Sequence, residues 1–247
     1  MSGVFHAVLS DRGLVRTQNE DRWFADPGQQ LYLVTDGMGG HLAGETAARA
    51  VAEILPQRLR EWIEGCEDLA ESARIEEALA AVSDLSREIC QHSAEYPSLA
   101  GMGATLVLAL IRGMQALVLH MGDSRAYLMR QGRLDCLTRD HTLVQLLVEH
   151  GALDAEEAAG HPARNQLTRY MGMADPPLPE ARVVDLCPDD RLLLCSDGLS
   201  GMLDDAEIET VLRKAPDPQA ACRRLVDAAN AAGGKDNVTA LIVVVKT

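Results

Sequence analysis

Aromatic side chains and positive charge are both scarce in this chain of 247 residues. Phe, Trp and Tyr make up 3% of the sequence, and 37 acidic residues outnumber 23 Lys and Arg, which gives a formal net charge of −14. Proteins that bind single-stranded nucleic acid stack its bases on aromatic rings, and nucleic-acid phosphates are attracted by Lys and Arg. The composition therefore argues against a nucleic-acid partner.

The sequence also lacks a CxxC pair, a leader-like start and an apolar run of membrane length. Its six cysteines are far apart and most have apolar neighbours, which favours free core thiols in a reducing compartment over disulfides or a zinc site. The start, MSGVFHAVLSDRG, does not combine a basic region with a long apolar stretch. No run approaches the roughly 20 apolar residues of a membrane helix. We therefore expect a soluble, cytoplasmic protein with no membrane partner.

What is present begins with the stretch LYLVTDGMGGHLAGE at residues 31–45. The apolar run Leu31–Val34 predicts a short buried strand, which ends just before Asp36. Gly37, Gly39 and Gly40 follow and allow another atom to approach the main chain closely. A carboxylate beside an exposed carbonyl suits a hard cation. An ordinary tight turn with a solvated Asp is the alternative, because Asp and Gly dominate turns for conformational reasons.

The remaining pattern predicts an antiparallel α+β protein. Strands separated by a turn as short as Arg112–Gly113 must pair antiparallel, because a parallel crossover needs a dozen or more residues. The predicted strands are Val4–Leu9, Arg22–Ala25, Leu31–Val34, Ala104–Ile111, Met114–Met121, Ala126–Met129, Arg133–Leu137, Arg182–Leu186, Arg191–Cys195 and Val238–Val245. Helical spacing predicts helices from Gly44 to about Ile63, from Ile75 to about Ile89, from about Asp205 to Arg213, and from Pro218 to Ala232. Thr138–Leu178, with short helical pieces and the PPLP segment, is predicted to be an inserted, partly mobile lobe.

Four acidic residues stand at the ends of predicted core strands: Asp36, Asp123, Asp197 and Asp236. A turn explains any one of them, but their recurrence predicts that they converge. Clustered carboxylates repel one another unless cations occupy the site. A set of oxygen ligands without His or Cys favours magnesium or manganese over zinc or copper. Two such ions, bridged by one carboxylate, can generate hydroxide from water and hold a phosphoryl group for attack.

A second polar stretch, SDRGLVRTQNED at residues 10–21, contains Arg16, Glu20 and Asp21 between two predicted strands. A solvated loop is the simpler interpretation of this stretch alone. Beside the carboxylate cluster, Arg16 would bind phosphate oxygens through two parallel N–H groups.

Taken together, these motifs resemble the PPM family of metal-dependent serine/threonine protein phosphatases, the phosphatase 2C type, in its compact bacterial form. Each motif is short and rich in glycine, but the series covers almost the whole chain in the order of the family. The motifs are SDRGLVRTQNED, DGMGGHLAGE, GMGAT, GDSRAYL, LTRDH, LTRYMG, LLLCSDGL and GGKDN.

The resemblance implies a four-layer α-β-β-α sandwich of two antiparallel sheets flanked by helices. Residues 1–247 would form a single phosphatase catalytic domain, with a flap at about residues 138–178 beside the active site. The implied activity is hydrolysis of phosphoserine and phosphothreonine on proteins by a metal-activated water. The protein would be a monomer that opposes a bacterial serine/threonine kinase in signalling, with that kinase and its targets as partners.

The resemblance also implies roles for individual residues, with two tightly bound manganese or magnesium ions and a third, weaker one. Asp36 would bridge the two tight ions. Asp197 and Asp236 would complete the ligands of the first ion, and the Gly37 carbonyl would be a ligand of the second. Glu20 would support the second ion directly or through water, and Asp123, with Asp197, would hold the third. The implied metal ligands are thus Glu20, Asp36, Gly37, Asp123, Asp197 and Asp236, and the implied catalytic residues are Arg16, Asp36 and Asp123. Asp21 and Asn237 would orient ligands and waters.

The sequence departs from the family at two positions. Met38 stands where animal members have a histidine that is proposed as the general acid, and nearby His41 has either a catalytic or a capping and packing role. Ala104 replaces a frequent Thr in the GMGAT motif, which we interpret as a change in the core. A phosphoprotein-binding pseudophosphatase and an enzyme for small phosphorylated metabolites are the alternative functions. The intact acidic set argues against the first, and the motifs leave the second open.

Overall fold

The computed structural model describes residues 4–66, 68–174 and 178–246. Its strands are β1 (Val4–Asp11), β2 (Arg22–Asp26), β3 (Leu31–Thr35), β4 (Gly37–Met38), β5 (Gly103–Ala104), β6 (Leu106–Arg112), β7 (Gln115–Met121), β8 (Arg125–Arg130), β9 (Arg133–Cys136), β10 (Glu180–Asp185), β11 (Arg191–Cys195) and β12 (Val238–Val245). Its helices are α1 (His41–Glu64), α2 (Ser72–Glu95), α3 (Leu143–Glu149), α4 (Ala155–Gly160), α5 (Asp197–Ser200), α6 (Asp205–Lys214) and α7 (Pro218–Ala231).

Two five-stranded sheets form the centre of the fold. One has the order β1-β12-β11-β8-β9 and the other the order β10-β7-β6-β3-β2, while β4 and β5 form a separate small pair. All paired strands in both large sheets run antiparallel. The predicted antiparallel α+β architecture is confirmed.

Three buried apolar clusters fill the three spaces between the four layers. Tyr32 and Val107 of one sheet share a cluster with Leu192 and Leu241 of the other. The outer face of the sheet that contains β3 packs on α1 and α2, and the outer face of the other sheet packs on α6 and α7. Because successive side chains of a strand point to opposite faces, strands buried on both faces need an unbroken apolar sequence. This explains the runs LLLC and VTALIVVV.

The strand directions bring the ends of four strands to one edge of the sandwich. Strands β3 and β7 both pair antiparallel with β6, so they run in the same direction and their C-terminal ends share an edge. Strand β11 pairs antiparallel with β12, so the end of β11 lies beside the start of β12. Asp36 and Asp123 therefore follow one sheet at this edge, and Asp197 and Asp236 flank the other.

Several predicted boundaries need correction. Helix α1 begins at His41 and not at Gly44, and α2 covers Ser72–Glu95 and not only Ile75–Ile89. The residues added to α2 are mainly polar, so apolar spacing gives little signal there, and the first residues of α1 directly follow the glycines of the predicted turn. Ala104 does not open the long strand β6: it belongs to β5 and pairs with Gly37, because Thr105 N–H turns to the Asp36 carbonyl at 2.9 Å.

The cysteine prediction is confirmed for pairing and only partly for position. All six cysteines, which fall within the described ranges, are free thiols. Cys66, Cys195 and Cys222 are buried, but Cys136 and Cys187 are exposed at the end of β9 and after β10. Apolar neighbours in sequence therefore do not place a cysteine in the core when its strand lies at a sheet edge.

The inserted segment Thr138–Leu178 contains the short helices α3 and α4, as predicted. Isolated bridges join Thr142 to Leu167 and Met171 to Ala104, so the segment closes on itself and on the small strand pair. Asp175, Pro176 and Pro177 lie outside the described residues. Among the helices in the described ranges, none has both the length and the apolar composition that spanning a membrane requires.

Candidate metal centre

All the predicted site residues line one cleft of about 320 Å³ at the common sheet edge. The cleft is formed by Arg16, Glu20, Asp36, Gly37, Asp123, Asp197 and Asp236, together with Met38, Gly39, Gly40, Thr105, Asn165, Leu167 and Asn237. The predicted convergence of the four strand-end carboxylates is therefore found. Asn165 and Leu167 belong to the inserted segment, so this segment borders the cleft.

The carboxylates of the cleft destabilise one another's charged forms. Asp36, Asp123 and Asp197 are half-buried, crowded by protein atoms but open to the cleft. Burial raises the pKa of Asp36 well above its ordinary value, and the charges of Asp21, Asp197 and Asp123 raise it further. Burial is the main cause that raises the pKa of Asp123, and the charge of Asp197 is the second. Burial is also the main cause that raises the pKa of Asp197, and the charge of Asp236 is the second. The protein alone therefore leaves negative charge in this cleft poorly compensated.

A divalent cation fits this donor set. Asp197 Oδ1 is buried and has no hydrogen-bond partner within the described residues. A buried carboxylate oxygen without a donor is costly unless a cation or water satisfies it. The available donors are carboxylate and carbonyl oxygens, which are the ligands that magnesium and manganese prefer.

Arg16 is held at the rim of the cleft by Asp236. Arg16 Nη2 donates to Asp236 Oδ2 at 2.6 Å, and this bond is the main reason that the pKa of Arg16 is raised. About half of the Arg16 side chain is exposed. A guanidinium has five N–H donors, so the contact with Asp236 leaves donors that can face an anion in the cleft.

Asn237 and Asp21 support the residues that line the cleft. Asn237 Oδ1 accepts the Glu20 N–H at 2.8 Å, and its Nδ2 donates to two carbonyls of the residue 10–21 loop. Asp21 is buried behind the cleft, and its Oδ2 accepts from Ser196 Oγ at 2.7 Å and Thr239 Oγ1 at 2.6 Å. Burial outweighs these two bonds and raises the pKa of Asp21 to about 7.

Two glycines of the motifs allow segments distant in sequence to touch. A Cβ on Gly44 would stand 2.1 Å from Glu20 Oε2, and a Cβ on Gly198 would stand 1.9 Å from the Asn237 carbonyl oxygen. At Gly44 the Glu20 carboxylate would have to move, and the Cβ would also stand 2.8 Å from the Gly37 carbonyl carbon, whereas at Gly198 the obstacle is main chain. These glycines therefore let the Glu20 carboxylate lie against α1 and let α5 lie against the start of β12.

Sequence reasoning missed the network that connects Asp36 with the turn after β7. Asp36 N–H donates to Thr105 Oγ1 at 2.9 Å, and Thr105 Oγ1 lies 2.6 Å from Ser124 Oγ. Both hydroxyl residues belong to recognised motifs, GMGAT and GDSRAYL, but local sequence gives no sign that they meet. The side chain of His41 lies outside the described part of the structure, so its role stays a prediction.

The comparisons with known proteins agree with this geometry. The protein phosphatase 2C family model matches residues 15–239. The chain belongs to the protein phosphatase 2C family. The match includes every proposed site residue, from Arg16 to Asp236, and the family resemblance drawn from the motifs is confirmed.

Several relatives within the protein phosphatase 2C family match over nearly the whole chain. Serine/threonine phosphatase stp of Listeria monocytogenes serotype 4b (strain F2365) is 35% identical over 95% of this chain and 93% of its own length. Serine/threonine protein phosphatase PstP of Mycobacterium tuberculosis is 40% identical over 96% of this chain, which spans 44% of PstP. The solved catalytic domain of PstP in complex with two manganese ions has a TM-score of 0.83, with 33% identity and full coverage of both chains. The predicted four-layer sandwich is the fold of these phosphatases.

Proposed function

We propose that this protein hydrolyses phosphoserine and phosphothreonine on proteins with the help of divalent cations bound in the cleft. The observation that carries the proposal is the convergence of carboxylates from both sheets, with raised pKa values and an unpartnered buried oxygen on Asp197. Membership of the protein phosphatase 2C family supports it. So do relatives named serine/threonine phosphatase and the PstP domain with two manganese ions.

The ligand assignment is the one that the family resemblance implies, and all the donors it needs line the cleft. Asp36 would hold both of two tightly bound manganese or magnesium ions, and Asp197 and Asp236 would complete the ligands of the first. The Gly37 carbonyl and Glu20 would support the second ion, and Asp123 with Asp197 would hold a third, weaker one. When bound, such ions lower the pKa of a water molecule and offset the charge of phosphoryl oxygens.

The chain's own residues bind the phosphoryl group. Arg16 supplies a guanidinium at the rim of the cleft, where its free donors match phosphate oxygens in pairs. The fixed contact of Arg16 with Asp236 orients the guanidinium before a substrate arrives. Met38 carries no titratable group, so the position of the animal-type general acid supplies no proton here.

We further propose that residues 1–247 act as one catalytic domain in which residues 138–178 are the flap. Asn165 and Leu167 of this segment line the cleft, which supports a role in contacting the protein substrate. The proposed setting is the bacterial cytoplasm, with the protein a monomer in a signalling circuit that opposes a serine/threonine kinase. Phosphorylated targets of that kinase are its proposed partners.

One experiment tests the proposal directly. Phosphate release is measured from a phosphothreonine peptide, a phosphotyrosine peptide and sugar phosphates after chelation, with and without added manganese or magnesium. We expect turnover of the phosphothreonine peptide only when metal is added. Full activity after exhaustive chelation would refute the metal mechanism. Preference for sugar phosphates would indicate an enzyme of small metabolites, and binding of the phosphopeptide without turnover would indicate a pseudophosphatase.

A further inference from the structure

The turn that carries Asp123 is attached on both sides to two consecutive residues at the base of the inserted segment. We call residues 122–125 the Asp123 turn. Gly122 N–H donates to His141 Nδ1 at 3.1 Å, and His141 N–H donates to the Gly122 carbonyl at 2.9 Å. On the other side of Asp123, Arg125 donates to both carboxylate oxygens of Asp140, at 2.8 and 2.7 Å. Asp123 therefore lies between two anchored neighbours.

The bond from Gly122 fixes the protonation of the His141 ring. A backbone N–H is always a donor, so Nδ1 must be the unprotonated nitrogen and Nε2 carries the proton. His141 Nε2 lies 3.1 Å from Glu180 Oε1, and Arg169 pairs with the same oxygen at 3.0 Å. The buried ring stacks on His120, with ring centroids 4.6 Å apart. Burial and the neighbouring His120 lower the pKa of His141 to about 4, so the ring is neutral near pH 7.

His120, His141 and Glu180 are close enough to suggest a metal site, because one ligand atom from each lies within 4.8 Å of the others. Their chemistry argues against it. The proton on His141 Nε2 blocks that nitrogen as a ligand as long as Nδ1 accepts from Gly122. His120 Nε2 is engaged at 2.9 Å by the Arg139 carbonyl, and the nearly parallel rings cannot direct two lone pairs at one point. The cluster therefore packs around the His141 ring, and its chemistry disfavours an ion there.

The main chain of the Asp123 turn depends on these external contacts. Gly122 has φ +111°, and a Cβ there would stand 2.8 Å from Thr105, so the residue before Asp123 has no side chain to anchor the turn. After Asp123, the Ser124 hydroxyl lies 2.6 Å from Thr105 Oγ1 and holds that side of the turn. His141 also accepts the Thr168 N–H through its carbonyl at 2.8 Å, which connects the same anchor to the far side of the inserted segment. The position of Asp123 is thus linked to the base of the flap.

We propose that His141 is a positioning residue that holds the Asp123 carboxylate in place for the weakly bound third cation, with Asp140 as a second anchor through Arg125. This inference rests on the proposed function, because that function assigns the third cation to Asp123. Residues that orient a metal ligand typically change metal affinity or activity by about 10- to 100-fold when they are replaced. His141 acts through the main chain of Gly122 and does not touch the cation.

Two replacements of His141 separate the bond to Gly122 from the rest of the ring. In His141→Asn the amide oxygen occupies the place of Nδ1, so an acceptor for Gly122 N–H is kept. In His141→Gln the amide reaches toward the place of Nε2, so that acceptor is lost. Both variants bury a neutral amide of similar polarity. A purely structural role would affect them alike, whereas positioning predicts that only His141→Asn preserves the Asp123 site.

Asp190→Asn is the matched control for Asp140→Asn. Arg130, at the other end of β8, donates to Asp190 from Nε at 3.0 Å and from Nη2 at 2.6 Å, which repeats the Arg125 to Asp140 arrangement away from the cleft. Asp190 is buried, so its replacement disturbs the fold at least as much. Thermal unfolding of all four variants records any general loss of stability.

The experiment titrates chelated protein with manganese by calorimetry and measures hydrogen exchange of the Gly122 amide. We expect His141→Gln and Asp140→Asn to weaken the third site about tenfold, with the two tight sites unchanged. His141→Asn and Asp190→Asn should stay within about twofold of the wild type. With phosphopeptide, kcat should fall in His141→Gln while KM stays nearly constant. Exchange at Gly122 should accelerate in His141→Gln and not in His141→Asn.

The outcomes separate this inference from the proposed function. Equal third-site affinities in His141→Asn and His141→Gln would overturn the positioning role, and so would an equal loss in Asp190→Asn. If the wild type binds no third ion, the assignment of that ion to Asp123 fails. Gly122 exchange then decides whether His141 anchors the turn, because unchanged exchange in His141→Gln would overturn that as well. If His141→Gln does not fold, the comparison of Asp140→Asn with Asp190→Asn still tests whether anchoring of the Asp123 turn affects the third site.

Discussion

The Thr105 hydroxyl connects two proposed metal ligands, and its removal should be costly. Thr105 and Ser124 are buried. Thr105 Oγ1 accepts the Asp36 N–H at 2.9 Å and lies 2.6 Å from Ser124 Oγ, next to Asp123. Thr105→Val keeps the shape of the side chain but removes the oxygen from both contacts. The Asp36 N–H and the Ser124 hydroxyl would then be left without this partner.

The size of the effect follows from these two contacts. A typical hydrogen bond contributes about 1 kcal/mol net, and leaving a buried donor or acceptor unsatisfied costs about 1–3 kcal/mol. Two such groups in Thr105→Val predict a loss of roughly 2–6 kcal/mol in the free energy of unfolding. Thr105→Ser is the matched control, because it keeps the hydroxyl and loses only a buried methyl group, at about 1 kcal/mol.

The assay is urea unfolding of chelated protein, followed by circular dichroism, and manganese titration of the same variants. Thr105→Val should be less stable than Thr105→Ser and should bind manganese more weakly, because the Asp36 main chain loses one of its two hydrogen bonds to Thr105. A loss below about 1 kcal/mol in Thr105→Val, or a larger loss in Thr105→Ser, would show that packing and not the hydroxyl holds the two segments together.

Further predictions concern the cleft, the flap and acid stability. Asp36→Asn should lower kcat at least a hundredfold, about 2.7 kcal/mol, and unchanged kcat with unchanged metal content would place the site elsewhere. Asp123→Ala should keep the fold, the two tight ions and phosphopeptide binding but lose turnover. Calorimetric metal titration and kinetic measurements on the same variant check this. Loss of all metal binding would make Asp123 a primary ligand. Substitutions between Gln145 and Gln166 should change phosphoprotein preference more than hydrolysis of an aryl phosphate, and equal losses would mean a structural segment. The pKa of His141 falls from 6.5 to about 4 on folding. Between pH 6.5 and about pH 4 the unfolded chain therefore binds a proton that the folded chain does not. The free energy of unfolding should fall by about 3 kcal/mol as the pH drops through this range. Urea midpoints against pH should fall less steeply for His141→Asn, and identical slopes would contradict the assignment.

The sequence predicted the candidate site better than it predicted the element boundaries. Asp36, Asp123 and Asp197 each follow an apolar run, and that pattern is local, so it places a carboxylate at a strand end without knowledge of the fold. The ends of α2 were missed because the added residues are mainly polar and give apolar spacing little signal. The start of α1 was missed because its first residues directly follow Gly39 and Gly40, which indicated a turn. The order of the motifs along the chain resembles that of the family, and this resemblance then predicted the arrangement of the sheets.

The supporting contacts could not be predicted because they join residues far apart in sequence. Asp21 meets Ser196 and Thr239, which follow it by 175 and 218 positions. His141 accepts from Gly122 only because the inserted segment returns to the end of β7. A serine, threonine or histidine has the same local pattern whether its hydrogen-bond partner is water or a buried carboxylate. Only the folded arrangement decides which of them acts on the site.

The fold tolerates the repulsion among the cleft carboxylates because this repulsion is confined to one edge of the sandwich. Asp36, Asp123 and Asp197 have raised pKa values, which means that folding without cations is opposed wherever these groups are ionised. The described side chains that fill the spaces between the layers are mainly aliphatic, so this repulsion does not act within them. A cation that binds only the folded state then stabilises it by RT ln(1 + c/Kd), where c is the free cation concentration and Kd its dissociation constant. The same carboxylates that weaken the metal-free protein are therefore the source of its affinity for metal.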